Sequence, residues 1–272
     1  MDGTLTRGEE MLMRPDEYRV MFEIEDGYWW YRGLRVLLKT LLTRYAPAQP
    51  HAAVILDAGC GTGANLRMLQ TYGRAIGVDI AVEAIAFCGA RGVPRDRALV
   101  ASVTDLPFRH QLFDLAVSFD VICNIPDDVG AFGEVARALK PGGYCIVGLP
   151  AYQWLWSMHD VAVGHQRRYS ARDVRAKLAR AGLRVVRVTH TNALLLPLVI
   201  VQRLLRRREL ERGGAIESDL QMDLPRWANA VLSVVYRAEI NLATCLDIPF
   251  GLSVIAVARK PTSQLTNEQT QP

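Results

Sequence analysis

Long apolar runs are missing from this chain. The longest, Ala193 to Val201, is broken by Pro197, and a membrane span needs roughly 20 predominantly apolar residues. Lysine is scarce too: Lys39, Lys140, Lys177 and Lys260 stand against 32 lysines and arginines in all. The net charge of +4 is modest, and the one dense basic run, Arg203 to Arg208, is short. A nucleic-acid binder shows a concentrated basic face with interleaved aromatics, so no nucleic-acid partner is expected. Cysteine is sparse: Cys60, Cys88, Cys123, Cys145 and Cys245 are odd in number, and no two stand in a C-x-x-C spacing. That argues against a disulfide framework or a zinc site, predicts no metal centre, and fits a reducing compartment. The first residues, MDGTLTRGEEMLMRPDEY, are acidic and polar and do not read as a signal peptide. A soluble cytoplasmic protein is the expectation.

What is present is a chain of 272 residues, half of them hydrophobic, enough for one large α/β domain with an insertion. Residues 1–50 read as a helical cap, with aromatics at 28–31 and an apolar stripe in LRVLLKTLL. Strand-like runs then alternate with helical ones: AVILDAG, AIGVDI, RALVAS, FDLAVSFD and YCIVGLP. LRVVRVTH reads as a sixth strand and GLSVIAVAR as the last. This alternation predicts βαβ units: a Rossmann-like, seven-stranded, mostly parallel sheet with flanking helices. The core is assigned to 51–190 and 251–260. A mostly helical insertion or lid takes 191–250, and 261–272 is a polar tail expected to be disordered.

The sharpest motif is VILDAGCGTGANL. A buried strand runs into Asp57, then Gly59, Cys60, Gly61 and Gly63, then a helix. Glycines here permit a tight turn and close ligand approach. The spacing is G-x-G-x-G rather than the dinucleotide G-x-G-x-x-G, which disfavours a nicotinamide oxidoreductase. A carboxylate two residues before the first glycine suits a cationic ligand. Asp79 ends the second strand, where an acid accepts hydrogen bonds from ribose hydroxyls. Asp105 follows the third strand and could accept from an exocyclic amine. All three acids fall at carboxyl ends of strands, where open α/β sheets bind ligands.

With LDAGCGTG, GVDI, DLPF, FDLAVSFDVICNIPDD and ALKPGG in order, the chain resembles the class I S-adenosylmethionine-dependent methyltransferases over roughly residues 15 to 260. The resemblance implies S-adenosyl-L-methionine as cofactor. Asp57 and Gly59, Cys60, Gly61 and Gly63 would face its methionine part. Asp79 and Ile80 would take the ribose, and Thr104, Asp105 and Leu106 the adenine. Phe119 and Asp120, with Val121, would line the methyl side. A narrower likeness is to a bacterial, type 11-like subgroup with H-W-W-F-x-G-R-R near the N-terminus, Glu–His after strand four and H-x-R-R-Y after strand five. Here YWWYRGLR puts Tyr28 for the histidine and Leu34 for an arginine, and Cys123–Asn124 stands where the subgroup has Glu–His. GHQRRY is intact. Arg32 or Arg35 could pair with the cofactor carboxylate, since a guanidinium matches its geometry.

On the acceptor side, the candidates are His165, His159 and Tyr169 in SMHDVAVGHQRRYS, which follows strand five. Ser170 with Asp173 reads as a helix cap. The insertion leaves strand six on the ligand side and should roof the pocket. Its stretch 193–208 could bind a hydrophobic acceptor or rest on an anionic membrane. The expected activity is methyl transfer by in-line displacement to oxygen or nitrogen of a small or lipid-like acceptor. The alternative is a protein that binds the cofactor without transferring methyl, as a regulator or a catalyst of rearrangement or cyclisation.

Overall fold

The computed structural model describes residues 13, 15–46, 52–201, 203 and 224–262. The expected tail 261–272 beyond its first two residues, most of the Arg203 to Arg208 run and the middle of the insertion lie outside the described residues. The chain begins with α1 (Pro15–Ile24) and α2 (Trp29–Tyr45). Then come β1 (Val54–Ala58), α3 (Ala64–Leu69), β2 (Arg74–Asp79), α4 (Val82–Ala90) and β3 (Ala98–Val100). β4 (Phe113–Phe119), α5 (Asp128–Ala138), β5 (Leu139–Pro150), the short α6 (Met158–Ala162), α7 (Ala171–Arg180) and β6 (Arg184–Thr191) follow. A helix, α8, covers 196–201, and α9 (Arg226–Cys245) leads to β7 (Ser253–Arg259).

The seven strands form one sheet in the order β3-β2-β1-β4-β5-β7-β6. β7 is antiparallel to both neighbours and every other pairing is parallel. The near-continuous apolar runs of β1, β2 and β4 follow from this position, because a parallel sheet covered on both faces buries successive residues. On one face α2 lays down Leu34, Leu37, Leu38, Leu41 and Leu42 at helical spacing, beside Tyr236 and Ile240 of α9. On the other face Phe132, Val135, Val174 and Leu178 of α5 and α7 cover the sheet.

Two strand expectations shift. β3 keeps three residues of the run RALVAS. β5 starts five residues earlier than YCIVGLP, because Leu139 already pairs with Phe113 and a bulge absorbs the KPGG turn before Tyr144 meets Leu115. The strand order reverses between β1 and β4, the position where open α/β sheets form a ligand crevice beyond their carboxyl ends. Among the described residues no helix is long and apolar enough to cross a membrane.

Candidate active site

A cavity of about 380 Å³ opens at this switch point. Gly59, Cys60, Gly61, Asp79, Ile80 and Val103 line one end, and His159, His165 and Arg168 line another. Phe119 and Asp120 also line it, and the run Tyr28 to Tyr31 covers it together with Leu195 and Val199. The size and the mostly apolar wall with few polar groups are those of a small-molecule site.

The glycine loop is built for close approach. Gly59, Gly61 and Gly63 all have positive φ, at 84°, 51° and 88°. A Cβ at Gly59 would run into the Val121 side chain, and one at Gly63 into Cys88. The N–H groups of Gly59 and Cys60 both donate to the Val78 carbonyl, at 2.8 and 2.9 Å. Asp79 accepts from Gly61 N–H at 2.9 Å and from Ala81 N–H at 3.0 Å. It therefore ties the loop to β2.

Asp57 is buried at the end of β1, and its Oδ2 has no hydrogen-bond partner. Burial pushes its carboxyl well up, and the charges of Glu25 and Asp79 push it further. An orphaned buried carboxylate beside two other acids favours a cation. S-adenosylmethionine carries two cationic centres, a sulfonium and an ammonium, so these residues fit it.

The adenine expectations turn out differently. Val103 reaches the cavity wall, but the loop then turns away. Thr104 hydroxyl pairs with that of Ser102, Asp105 is exposed, and Leu106 N–H donates to Glu134. None of these three lines the cavity. Arg32 is exposed, one position past the aromatic run, because that face of α2 points outward. Arg35 donates to the Glu25 carbonyl at 2.7 Å; its Nη1 is buried without a partner, and it stands behind the cavity wall.

The sequence reading missed Glu25 and Arg91. Glu25 lines the cavity and takes a short hydrogen bond from the Thr62 hydroxyl. Arg91, after α4, donates to Thr62 and Phe22 carbonyls and pairs with Glu25 at 3.1 Å and Asp26 at 2.7 Å. A lone arginine in CGARG carries no local signal of this role.

At the other end of the cavity, His165 is buried and its Nδ1 lies 2.7 Å from Asp160 Oδ1. A carboxylate accepts there only from a protonated Nδ1, so in the neutral ring Nε2 is the acceptor, on a side chain that lines the cavity. Asp160 is fully buried. It also accepts from Ser157 N–H and from Arg168 Nε and Nη2, at 2.8, 2.7 and 3.0 Å. Burial alone would raise its carboxyl; the His165 hydrogen bond and the Arg168 charge outweigh that and hold it well below the usual range. His159 stands edge-on to His165 with ring centroids 5.9 Å apart.

Asp120 follows β4 with φ 54°, in the left-handed region where Asp is tolerated better than most residues. Burial pushes its carboxyl up to about 6, with His165 and Arg168 pulling the other way. It was expected among cofactor contacts; it lines the cavity near the charges of His165, Arg168 and Asp160. Asn124 lines the cavity where the subgroup's histidine would stand, while Cys123 is buried in the core.

Tyr169 is not at the cavity, contrary to expectation. It bridges Ala151 as an isolated β-pair, and successive residues of extended chain point to opposite sides. Arg168 therefore faces the cavity and Tyr169 the core, where its hydroxyl donates to Asp128 at 2.9 Å. Ser170 and Asp173 form the reciprocal cap of α7.

Residues 56–147 match the methyltransferase domain family. A probable S-adenosylmethionine-dependent methyltransferase of Mycolicibacterium smegmatis is 29% identical over 254 residues, 87% of this chain and 91% of that protein. The tRNA (carboxymethyluridine(34)-5-O)-methyltransferase of Arabidopsis thaliana is 36% identical over 101 residues, but the match spans only 36% of this chain and 24% of that protein. Among solved structures, a complex of the Haloferax volcanii Trm112 methyltransferase activator with a methyltransferase superposes with TM-score 0.60 at 19% identity, covering 92% of this chain and 99% of that one.

Proposed function

We propose that this chain, a class I S-adenosylmethionine-dependent methyltransferase, methylates an oxygen or nitrogen of a small or lipid-like acceptor that surrenders its proton to His165. The observation that carries this reading is the buried Asp160–His165 pair, 2.7 Å apart, with the imidazole on the cavity wall. A base is needed only where the acceptor atom loses a proton on the way, as a hydroxyl, a phenol or an ammonium does.

Bound against the glycine loop, the cofactor supplies an electrophilic methyl group on a positively charged sulfur. In this reading Asp79 takes the ribose hydroxyls, Ile80 and Val103 flank the base, and Asp57 with the Gly59–Gly63 backbone faces the methionine part. Asp160 and Arg168 keep the His165 ring from turning, so its Nε2 meets the acceptor proton while the acceptor atom aligns for in-line attack. The aromatic run Tyr28 to Tyr31 excludes water, which favours a step in which charge is neutralised. Ile125, Val163, Leu195 and Val199 line the same cavity, and their apolar surface supports an acceptor with a hydrocarbon body.

The test is His165→Ala, with affinity for S-adenosylhomocysteine measured by calorimetry and turnover measured on a panel of alcohols, phenols and amines. Turnover should fall by about 10²–10⁴ while affinity stays within about twofold. Unchanged turnover removes the base from His165. Tight cofactor affinity in the unaltered protein without methyl gain on any acceptor favours the non-transferring alternative.

A further inference from the structure

The two helices of the insertion carry more outward apolar surface than a folded chain needs. On α9, Trp227, Val231, Val234 and Leu242 are 72%, 54%, 69% and 52% exposed, and Ala238 between them is exposed too. At 100° per residue they fall within about 80° of arc along the helix. The opposite side, with Tyr236, Ile240 and Ala243, is buried in the domain. Beside the exposed stripe lie Arg226 and Arg237, both exposed. The helix has one acid, Glu239, which is buried and accepts from Leu194 N–H at 3.0 Å. The solvent face of α9 is therefore an apolar band edged by arginines and Asn241, with no exposed acid.

The α8 segment repeats the pattern. Leu195, Val199 and Arg203 turn into the cavity, while Leu194, Leu198 and Val201 are 63%, 67% and 54% exposed. The segment thus shows apolar residues to the outside as well as Leu195 and Val199 to the cavity. Water on the outer side would make those residues a liability rather than a requirement.

We propose that the outer faces of α8 and α9 dock on an anionic phospholipid bilayer, with the acceptor passing from it to the cavity beneath α8. Arginine edges and an exposed tryptophan beside an aliphatic band are the composition of a helix lying in a membrane interface. A second copy fits less well. A two-fold contact presents the same patch on both partners, and with no exposed acid on α9 neither copy supplies a counter-charge to the Arg226 and Arg237 edge of the other. The proposal rests on the lipid-like acceptor reading, but it is measured without turnover.

The experiment uses the full chain with vesicles of phosphatidylcholine alone and of phosphatidylcholine with phosphatidylglycerol, by co-sedimentation at low and high salt. Binding to the anionic vesicles should weaken with salt. Val234→Glu and Trp227→Ala should each lower it, the former by about tenfold, since it sets an anion in the apolar band. Both variants should keep S-adenosylhomocysteine affinity, which shows that they fold. No sedimentation with anionic vesicles overturns the docking, as does sedimentation that neither substitution alters. A dimer by light scattering that Val234→Glu disperses, without vesicle binding, assigns the face to a second copy instead. Failure here leaves the His165 test untouched.

Discussion

Asp120 holds a carboxylate in a place that suits it poorly. Its φ of 54° is left-handed, and burial raises its carboxyl to about 6 against an ordinary 3.8. A carboxyl raised in the fold stabilises least when ionised, so its contribution is lost as pH rises from about 4 through about 6. Asp120→Asn removes that cost and tolerates the left-handed backbone as well or better. Thermal melts should show the variant more stable at pH 7.5 by roughly 1–2 kcal/mol, a figure reduced for partial solvent access. The gain should vanish near pH 4, and equal melting temperatures across the range would refute the account. At this scale, part of the cavity wall was legible: His159, His165, Gly59, Cys60 and Gly61 all line it, whereas Asp57 and Gly63 do not. Tyr169 was not, because the periodicity of extended chain sends it away from Arg168 into the core. Nor was Leu106, whose N–H is taken by Glu134 from a distant helix.

Between elements, the seam of α2 and α9 joins the N-terminal cap to the insertion across about two hundred residues. Asn229 of α9 accepts from Trp29 N–H at 2.8 Å and donates to the Gly27 carbonyl at 3.0 Å. Within the seam Gly33 faces the ring of Tyr236, and a Cβ there would overlap it. Alanine gains up to about 1 kcal/mol of helix propensity over glycine. Overpacking against a ring that is only 2% exposed costs about 1–3 kcal/mol, so the clash should win. Gly33→Ala should lower the urea midpoint, and Gly33→Ala with Tyr236→Leu should recover part of the loss; a single variant as stable as the parent would mean that the seam is loose. Of the helices of this seam, α2 was visible as an apolar stripe and α9 only as part of a mostly helical insertion. Their pairing was not, since Gly33 looks like a flaw in α2 until Tyr236 is set against it. The sheet was the most legible part, because strand–helix alternation and the right-handed crossover rule leave few arrangements. The early start of β5 escaped because its pairing with Phe113 is set by β4, not by its own composition.

Over the whole molecule, the cap closes the cavity only as far as Arg91 holds it. That side chain is 4% exposed and reaches α1 through the Phe22 carbonyl and ring and the turn after it through Glu25 and Asp26, while its Nε holds the Thr62 carbonyl in the glycine loop. Cap and glycine loop thus share one cation. Removing it leaves Glu25 a buried carboxylate without its main counter-charge, a change that costs about 3–5 kcal/mol when one partner of a buried pair is lost. The cheapest relief is local: α1 swings out and Glu25 hydrates, while the sheet stays folded. Arg91→Ala should therefore bind S-adenosylhomocysteine at least about tenfold more weakly, 1.4 kcal/mol being a factor of ten. It should also expose the segment near 25–28 to protease while the core fragment survives. Arg91→Lys should recover little, since an ammonium is a point charge and cannot match a guanidinium's fixed fork of donors. Acid should help the alanine variant. Burial already raises the Glu25 carboxyl, and without Arg91 it rises further, so lowering the pH protonates it and lets the cap reseat. Protease protection that improves between pH 8 and pH 5.5 would carry the argument. Protection that is the same as the parent's at both, with unchanged affinity, would show that the cap is held by its aromatics alone.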